Sequence, residues 1–342
     1  MNDTKLIDIA TALGISITTV SKALKGYPDV GSKTREKVFE MAATLNYRPN
    51  LNAISLRTNE TKTIGVIIPA MVHHFFSSVL NGIIEEAERR GYLVITLQSS
   101  EKYELERKQI ELLQIKRVDG ILMSLSNETD DFSHITNAIN NGISVVLFDK
   151  IAKLVNCSKV IINDRKAAYD ATTFLINKGY KRIAHFRGSL VPQNSIDRFL
   201  GYKKALEDNG IPFDSRLVYM CNHNTDFEDG YDKAKQMMED HNDVDAVFAI
   251  TDLVAIGIIN YLNEAKIKVP DQIGVFGFSN WFMSTVISPK LTTIDQPGTA
   301  IGQRAASILI DEIIQIKEHK TVTYQIVELP TTIIERESTK RN

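Results

Sequence analysis

Apolar residues recur at helical spacing through residues 4–45 and as β-branched runs after residue 63, so the chain changes character between these points. In Thr4–Gly26, Ile9, Leu13, Val20 and Leu24 supply apolar contacts, while Ala10 and Ala23 keep a crossing close. The pattern predicts two short helices joined by a tight turn. Gly14 can take the left-handed conformation that ends the first, and Ser16 can cap the second with its hydroxyl. Residues 32–45 predict a third helix, with Val38, Met41, Ala42 and Leu45 on one face. Pro49 stops what precedes it. The residues after it could form only a short helix, below the ~12–15 residues that are marginal in isolation. With Leu51 and Leu56 exposed, such a helix needs a partner.

Residues 58–63 are polar and predict a linker. Ile64-Gly-Val-Ile-Ile-Pro69 then marks a strand buried on both faces. Helices are expected near 75–90, 101–116 and 131–141, alternating with strands at 93–97, 120–124 and 144–148. The rhythm repeats with strands at 159–162, 182–186, 217–220, 246–250, 274–278 and 291–295. Helices alternate with these near 165–178, 196–209, 227–240, 252–265 and 299–317. Alternation of this kind predicts parallel, doubly wound sheet. So many strands in a single sheet would be unusual, which favours two subdomains.

Five strings in the first part are very specific together: Asp8-Ile-Ala, Gly14-Ile-Ser, Thr19-Val-Ser-Lys-Ala-Leu, Lys33-Thr-Arg-Glu-Lys-Val and Leu45-Asn-Tyr-Arg-Pro-Asn. On them the chain resembles the lactose-repressor (LacI/GalR) family of bacterial transcriptional regulators. Lys22 departs from the family's usual Arg and lacks its planar fork. Gly31 departs from the usual Ser cap of the third helix, at a cost of a few tenths of a kcal/mol.

The resemblance implies an all-α helix-turn-helix head over 1–48 and a hinge helix with linker over 49–62. A periplasmic-binding-protein-like core of two doubly wound parallel-sheet subdomains would follow over 63–336. One subdomain would take about 63–162 plus 291–320, the other about 163–290 plus 321–336, with crossings near 162, 290 and 322. Residues 337–342 are expected to be a polar tail. Double-stranded operator DNA would be read by a dimer. Ile17, Thr18, Ser21 and Lys22 stand at the leading end of the second helix, where a helix-turn-helix meets base edges. Lys5, Ser16, Thr19, Arg48 and Asn50 are candidates for phosphate or groove contacts. The hinge would add Ala53 and Leu56, and Leu56 would wedge into a central base step of the minor groove.

Ligands of open α/β sheets bind beyond the carboxyl ends of strands. In Met71-Val-His-His-Phe-Phe76, either Phe75 or Phe76 could stack on a sugar ring, or both could be core. Adjacent His73 and His74 seldom share a metal, and no metal is expected. Asp149 matches an acidic family position that bonds ligand hydroxyls; the alternative is a turn or helix cap. Arg198, in Ser195-Ile-Asp-Arg-Phe-Leu-Gly-Tyr202, matches the family's ligand-holding arginine. Its alternative is an ion pair with Asp197 or Asp149. Thr251 stands where the family has Asn, and Asp252 is read first as a helix cap. Ser279 and Asn280 replace two acids, and Trp281 follows them. That loss of charge would make an anionic effector, such as a sugar acid or sugar phosphate, more tolerable; the expected effector is a sugar, sugar acid or sugar phosphate.

Composition excludes several classes. At 342 residues, 43% hydrophobic and 24% charged, the chain suits a soluble protein of two or three domains. Two cysteines make no disulfide framework. No apolar run reaches a membrane span, and no secretory signal pattern opens the chain, so a cytoplasmic location is expected. Residues 1–58 hold eight Lys/Arg and five Asp/Glu, a net +3, against −2 for the whole chain. That suits a head that meets phosphates. Phosphate loops, Gly-x-Ser-x-Gly and His-Glu-x-x-His are absent from the sequence, so no catalytic residues and no cofactor are expected. No heptad seam closes the chain, which favours a homodimer over a coiled-coil tetramer. Solute transport would explain a cleft but not the head, and a nucleotide-using enzyme would need the missing motifs.

Overall fold

The computed structural model describes residues 4–47, 60–221 and 226–341. Two compact units divide it, residues 1–61 and 62–342. Arg48, Asn50, Ala53, Leu56 and the expected hinge helix lie outside the described residues.

The first unit contains α1 (Leu6–Leu13), α2 (Ile17–Leu24) and α3 (Ser32–Thr44). Ile9, Ala10, Val20, Ala23, Val30, Val38 and Ala42 are buried together, with Leu13, Leu24, Met41 and Leu45 packed around them. These are the positions that the helical spacing singles out, plus Val30 in the connecting turn. Gly14 ends α1 at φ 64° and lets the chain bend by 109° into α2. Ser16 caps α2, its hydroxyl accepting from the Thr19 N–H at 3.0 Å.

The second unit opens with β1 (Thr63–Ile68), α4 (His74–Arg89), β2 (Leu93–Gln98), α5 (Tyr103–Ile115), β3 (Gly120–Met123), α6 (Ser133–Asn140), β4 (Ser144–Phe148) and β5 (Ser158–Ile162). It continues with α7 (Asp164–Asn177), β6 (Ile183–Arg187), α8 (Gln193–Asp208), β7 (Val218–Met220), α9 (Asp226–Asp240), β8 (Ala246–Ala249), α10 (Asp252–Glu264), β9 (Gly274–Ser279) and β10 (Thr292–Asp295). It closes with α11 (Gly298–Lys317), β11 (Ile326–Leu329) and β12 (Thr332–Ile334). Two six-stranded sheets result, ordered β11-β5-β4-β3-β1-β2 and β12-β10-β9-β8-β6-β7. Among the described residues every pairing is parallel except the antiparallel β10–β12.

The sheets correct two expected boundaries. β10 pairs with β9 in the second sheet, so the second crossing falls after Asp295 and not near 290. β11 pairs with β5 in the first sheet, so the third crossing falls after Leu329 and not near 322. Both corrections have one cause: β11 and β12 are short edge strands with half-exposed, mixed side chains, too weak in pattern to be read as strands. The expected polar tail is also partly docked. Ser338 and Thr339 are fully buried. The Ser338 hydroxyl donates to the Val275 carbonyl at 2.6 Å and accepts from the Thr292 N–H at 2.8 Å. Arg341 lies 3.8 Å over the Tyr180 ring.

Each half is held rigid where helices meet backbone to backbone. A Cβ at Gly82 of α4 would stand 2.1 Å from the Thr299 carbonyl oxygen, and one at Gly302 of α11 would stand 2.0 Å from that of Val79. The facing atoms are main chain and cannot swing aside. Gly82→Ala is therefore expected to destabilise the second unit by ~1–3 kcal/mol, the scale of an overpacked core. Urea unfolding measures this; a loss below ~0.5 kcal/mol would contradict the close approach.

Candidate functional site

On the first unit, Ser16, Ile17 and Thr18 are exposed at the leading end of α2, and Thr19, Ser21 and Lys22 are half-buried beside them. Ile17 exposes 45% of its surface although it is large and apolar. The Lys22 ammonium donates to the Asp29 carboxylate, which holds Asp29 below the usual carboxylate range. Lys5 is exposed, and its backbone N–H donates to the Asp8 carboxylate at 2.7 Å.

In the second unit, a cavity of about 170 Å³ lies between the carboxyl ends of the two sheets. Phe75 and Phe76 wall it from the start of α4, in edge contact with ring centroids 5.4 Å apart. Asp149, Arg198, Thr251 and Ser279 also line it. Six of the eight expected ligand residues thus share one space. Asn280 and Trp281 do not. Asn280 donates to Asp295 at 2.7 Å and accepts from Arg336 at 2.6 Å, which fixes it to the β9–β10 edge. It borders a neighbouring hollow with Pro297 and Gly298. Trp281 borders a small slot of about 50 Å³ with Val72, His74 and Leu253.

Arg198 is buried, and its fork is partly engaged. Nε donates to Asp164 at 2.7 Å, Nη1 donates to the Ile250 carbonyl at 2.8 Å, and the guanidinium lies 3.6 Å over the Phe278 ring. The anticipated partners Asp197 and Asp149 are not its partners. Asp197 instead accepts from Lys153 at 3.2 Å and Arg165 at 2.8 Å. Thr251, not Asp252, caps α10, its hydroxyl accepting from the Val254 N–H at 3.2 Å. Asp252 gathers the Trp281 N–H, the Ser284 hydroxyl and the Thr293 hydroxyl at 2.6–2.8 Å. It thereby ties β10 and the 281–284 turn to the head of α10.

The cavity contains more acid than the sequence suggests. Glu101, Lys150 and Asp226 join the lining. Lys150 donates to Glu101 at 2.6 Å and to Asn127 at 2.7 Å. Burial pushes the Asp149 carboxyl up to about 6 and that of Asp226 up to about 7, while it pushes His73 down to about 4 and keeps that ring neutral. The exchange of two acids for Ser279 and Asn280 therefore leaves no acid-free cleft. Backbone strain concentrates here: Asp149 has φ 58° and Ser279 has φ 118°. Gln296, on the crossing after β10, donates to the Ser279 hydroxyl at 3.0 Å, and its Oε1 is buried without a hydrogen-bond partner.

Sequence reasoning missed Glu101, Lys150, Asn194, Asp226 and Gln296. The strand-end rule would have reached Glu101, Lys150 and Gln296, each within three residues of a strand's carboxyl end. Asn194 and Asp226 sit at the starts of helices and carry no such mark.

Comparisons agree with this architecture. Residues 5–50 match the family described as bacterial regulatory proteins, lacI family. Residues 61–332 match that described as periplasmic binding proteins and sugar binding domain of LacI family. The HTH-type transcriptional repressor PurR of Vibrio atlanticus is 33% identical over 97% of this chain and 98% of its own. Catabolite control protein A of Priestia megaterium is 33% identical over 98% of this chain and 99% of its own. The crystal structure of the lac repressor dimer bound to operator and an anti-inducer shares the fold, with a TM-score of 0.87, 24% identity and 99% of both chains covered. By its head, its core and its relatives, the chain belongs to the LacI family of DNA-binding transcriptional regulators.

Proposed function

We propose that this regulator represses carbohydrate-utilisation genes in the cytoplasm, binding a palindromic operator as a homodimer and answering to a small polyhydroxylated effector. The observation that carries the effector reading is the cavity itself. It joins aromatic walls (Phe75, Phe76) to a half-buried carboxylate (Asp149) and an oriented guanidinium (Arg198) at the ends of two sheets. Rings of CH face and hydroxyl edge, as in a sugar, match such a mixture. Arg198 keeps Nη2 without a partner among the described residues, available to a ligand oxygen.

An exposed apolar stripe supports the dimer. Leu105, Leu112 and Ile115 lie along one side of α5, and Leu93 opens the edge strand β2. α5 runs back toward the start of β2, so Ile115 and Leu93 fall at the same end of that edge. A second copy would cover this surface. For the head, Ile17, Thr18, Ser21 and Lys22 would read bases, with Lys22 exchanging Asp29 for DNA. Lys5, Ser16, Thr19, Arg48 and Asn50 would serve the backbone, and Ala53 and Leu56 the minor groove.

Arg198→Lys keeps the charge and loses the fork. It is expected to weaken effector binding at least tenfold by calorimetry while operator binding without effector is unchanged. Undiminished affinity would remove Arg198 from the ligand site. The pH dependence has a definite sign. Because the folded Asp149 carboxyl titrates near 6, above its unfolded value, its burial costs stability above that pH, and stability returns as pH falls through about 6. The ionised form that accepts ligand hydroxyls disappears over the same window. Effector affinity is thus expected to drop below about pH 6, and Asp149→Asn to abolish that step. Leu56→Ala is expected to weaken operator binding in a gel shift without moving the unfolding midpoint; unchanged operator affinity would dismiss the wedge.

A further inference from the structure

α8 begins after Pro192, which offers no side-chain cap; the Ser195 N–H donates to the Asn194 Oδ1 at 2.8 Å, and the Gln193 and Asn194 N–H groups present the positive end of a 16-residue helix. That alone makes no site. Arg187, the last residue of β6, supplies an independent observation. Its guanidinium carbon stands 4.3 Å from the centroid of Phe199 on α8. The residue is 7% exposed, its Nε is sealed with no hydrogen-bond partner, and no described carboxylate pairs with it. The other two buried cations near the cleft are compensated, Lys150 by Glu101 and Arg198 by Asp164. A lone buried guanidinium is costly in the empty protein, and burial accordingly lowers its proton affinity.

Ser195 lies one helical turn before Phe199 on the same face of α8. It is 1% exposed, and its hydroxyl has no partner. In the loop between β6 and α8, the Ser189 hydroxyl is buried and unpartnered as well. All of these groups can donate hydrogen bonds, and they belong to the strand end, the loop and the first turns that meet at the start of α8. The complement to such a set is an oxyanion.

We propose that Arg187, Ser189, Ser195 and the first turn of α8 form a subsite for an oxyanion of phosphate or carboxylate size. Asn194 and Arg198, on the adjoining side of the same helix end, line the central cavity. A ligand held there could set a charged group at Arg187. To that extent the inference deepens the effector reading and rests on it, although free inorganic phosphate would satisfy the same donors.

The test is thermal unfolding of the full chain at fixed ionic strength in chloride, with inorganic phosphate, glucose 6-phosphate or glucose added. At least one phosphate compound is expected to raise the wild-type midpoint by several degrees beyond chloride. Arg187→Met is expected to lose that response and, in chloride alone, to unfold at a higher temperature than wild type, because a lone buried charge is gone. Should Arg187→Met fail to fold, Arg187→Lys keeps charge but not the fork and is expected to bind the phosphate compound at least fivefold more weakly. A response to phosphate alone assigns a free oxyanion. A response to glucose 6-phosphate alone, lost also in Arg198→Ala, assigns a charged arm of the effector. No wild-type response to either phosphate compound overturns the subsite, as does a response that survives in Arg187→Met. A glucose response lost only in Arg198→Ala, with no phosphate response, would overturn the subsite and leave the cleft reading standing.

Discussion

Among the described residues, the chain passes between the two sheets at three short stretches: Asn163, Gln296–Pro297 and the residues between β11 and β12. Everything in the second unit follows from that constraint. Both sheets turn carboxyl ends toward one space, so polar loop residues from two halves meet there while the apolar strands stay inside. Gln296 belongs both to a crossing and to the cavity wall. The Asn163 amide donates to Glu328 at 3.3 Å, linking the first crossing to the strand that leads into the third. Since helix pairs within each half touch backbone to backbone, the halves resist internal deformation. A change of angle between the halves would bend the backbone at these crossings, the arrangement of a hinge.

The chemistry of the cleft is governed by low polarity around it. Two of its cations are neutralised by built-in carboxylates, and two of its carboxyls are pushed toward neutrality by burial. A ligand thus meets a cavity that is charge-rich by composition and restrained in practice. Selectivity would come from which donors and acceptors remain unsatisfied. Cross-cleft contacts are sparse: the Asn194 amide donates to Asp149 at 3.3 Å, and Lys153 meets Asp197 at the rim. Such long or exposed contacts are weak enough to be exchanged for ligand bonds.

Much of this was legible in the sequence, for physical reasons that differ by element. Ile9, Val20 and Ala23 stood out because a helix must repeat its buried face. Ile64–Ile68 stood out because a strand covered on both sides admits little polarity. β11 and β12 were invisible because edge strands with one wet side need no such pattern. The docking of Ser338 and Thr339 was hidden because hydroxyls bonded to backbone resemble those of any tail. At the site, Arg198 was found through its motif, but its partner Asp164 was not, since a helix-start acid thirty-four residues away carries no local mark. Trp281 follows the cavity residue Ser279 closely in the chain, but closeness in sequence does not fix which hollow a ring borders.

The central claim is that the two halves move as bodies about their crossings, with ligand between them. Leu154 and Leu190, exposed on loops of opposite halves, offer positions for Leu154→Cys and Leu190→Cys spin labels, because Cys157 and Cys221 are buried. Pulsed dipolar spectroscopy on this doubly labelled chain, free and saturated with a saccharide that raises its unfolding midpoint, measures the separation directly. Ligand is expected to shift or narrow the distance distribution. One unchanged narrow distance in both states, with ligand demonstrably bound, would contradict it.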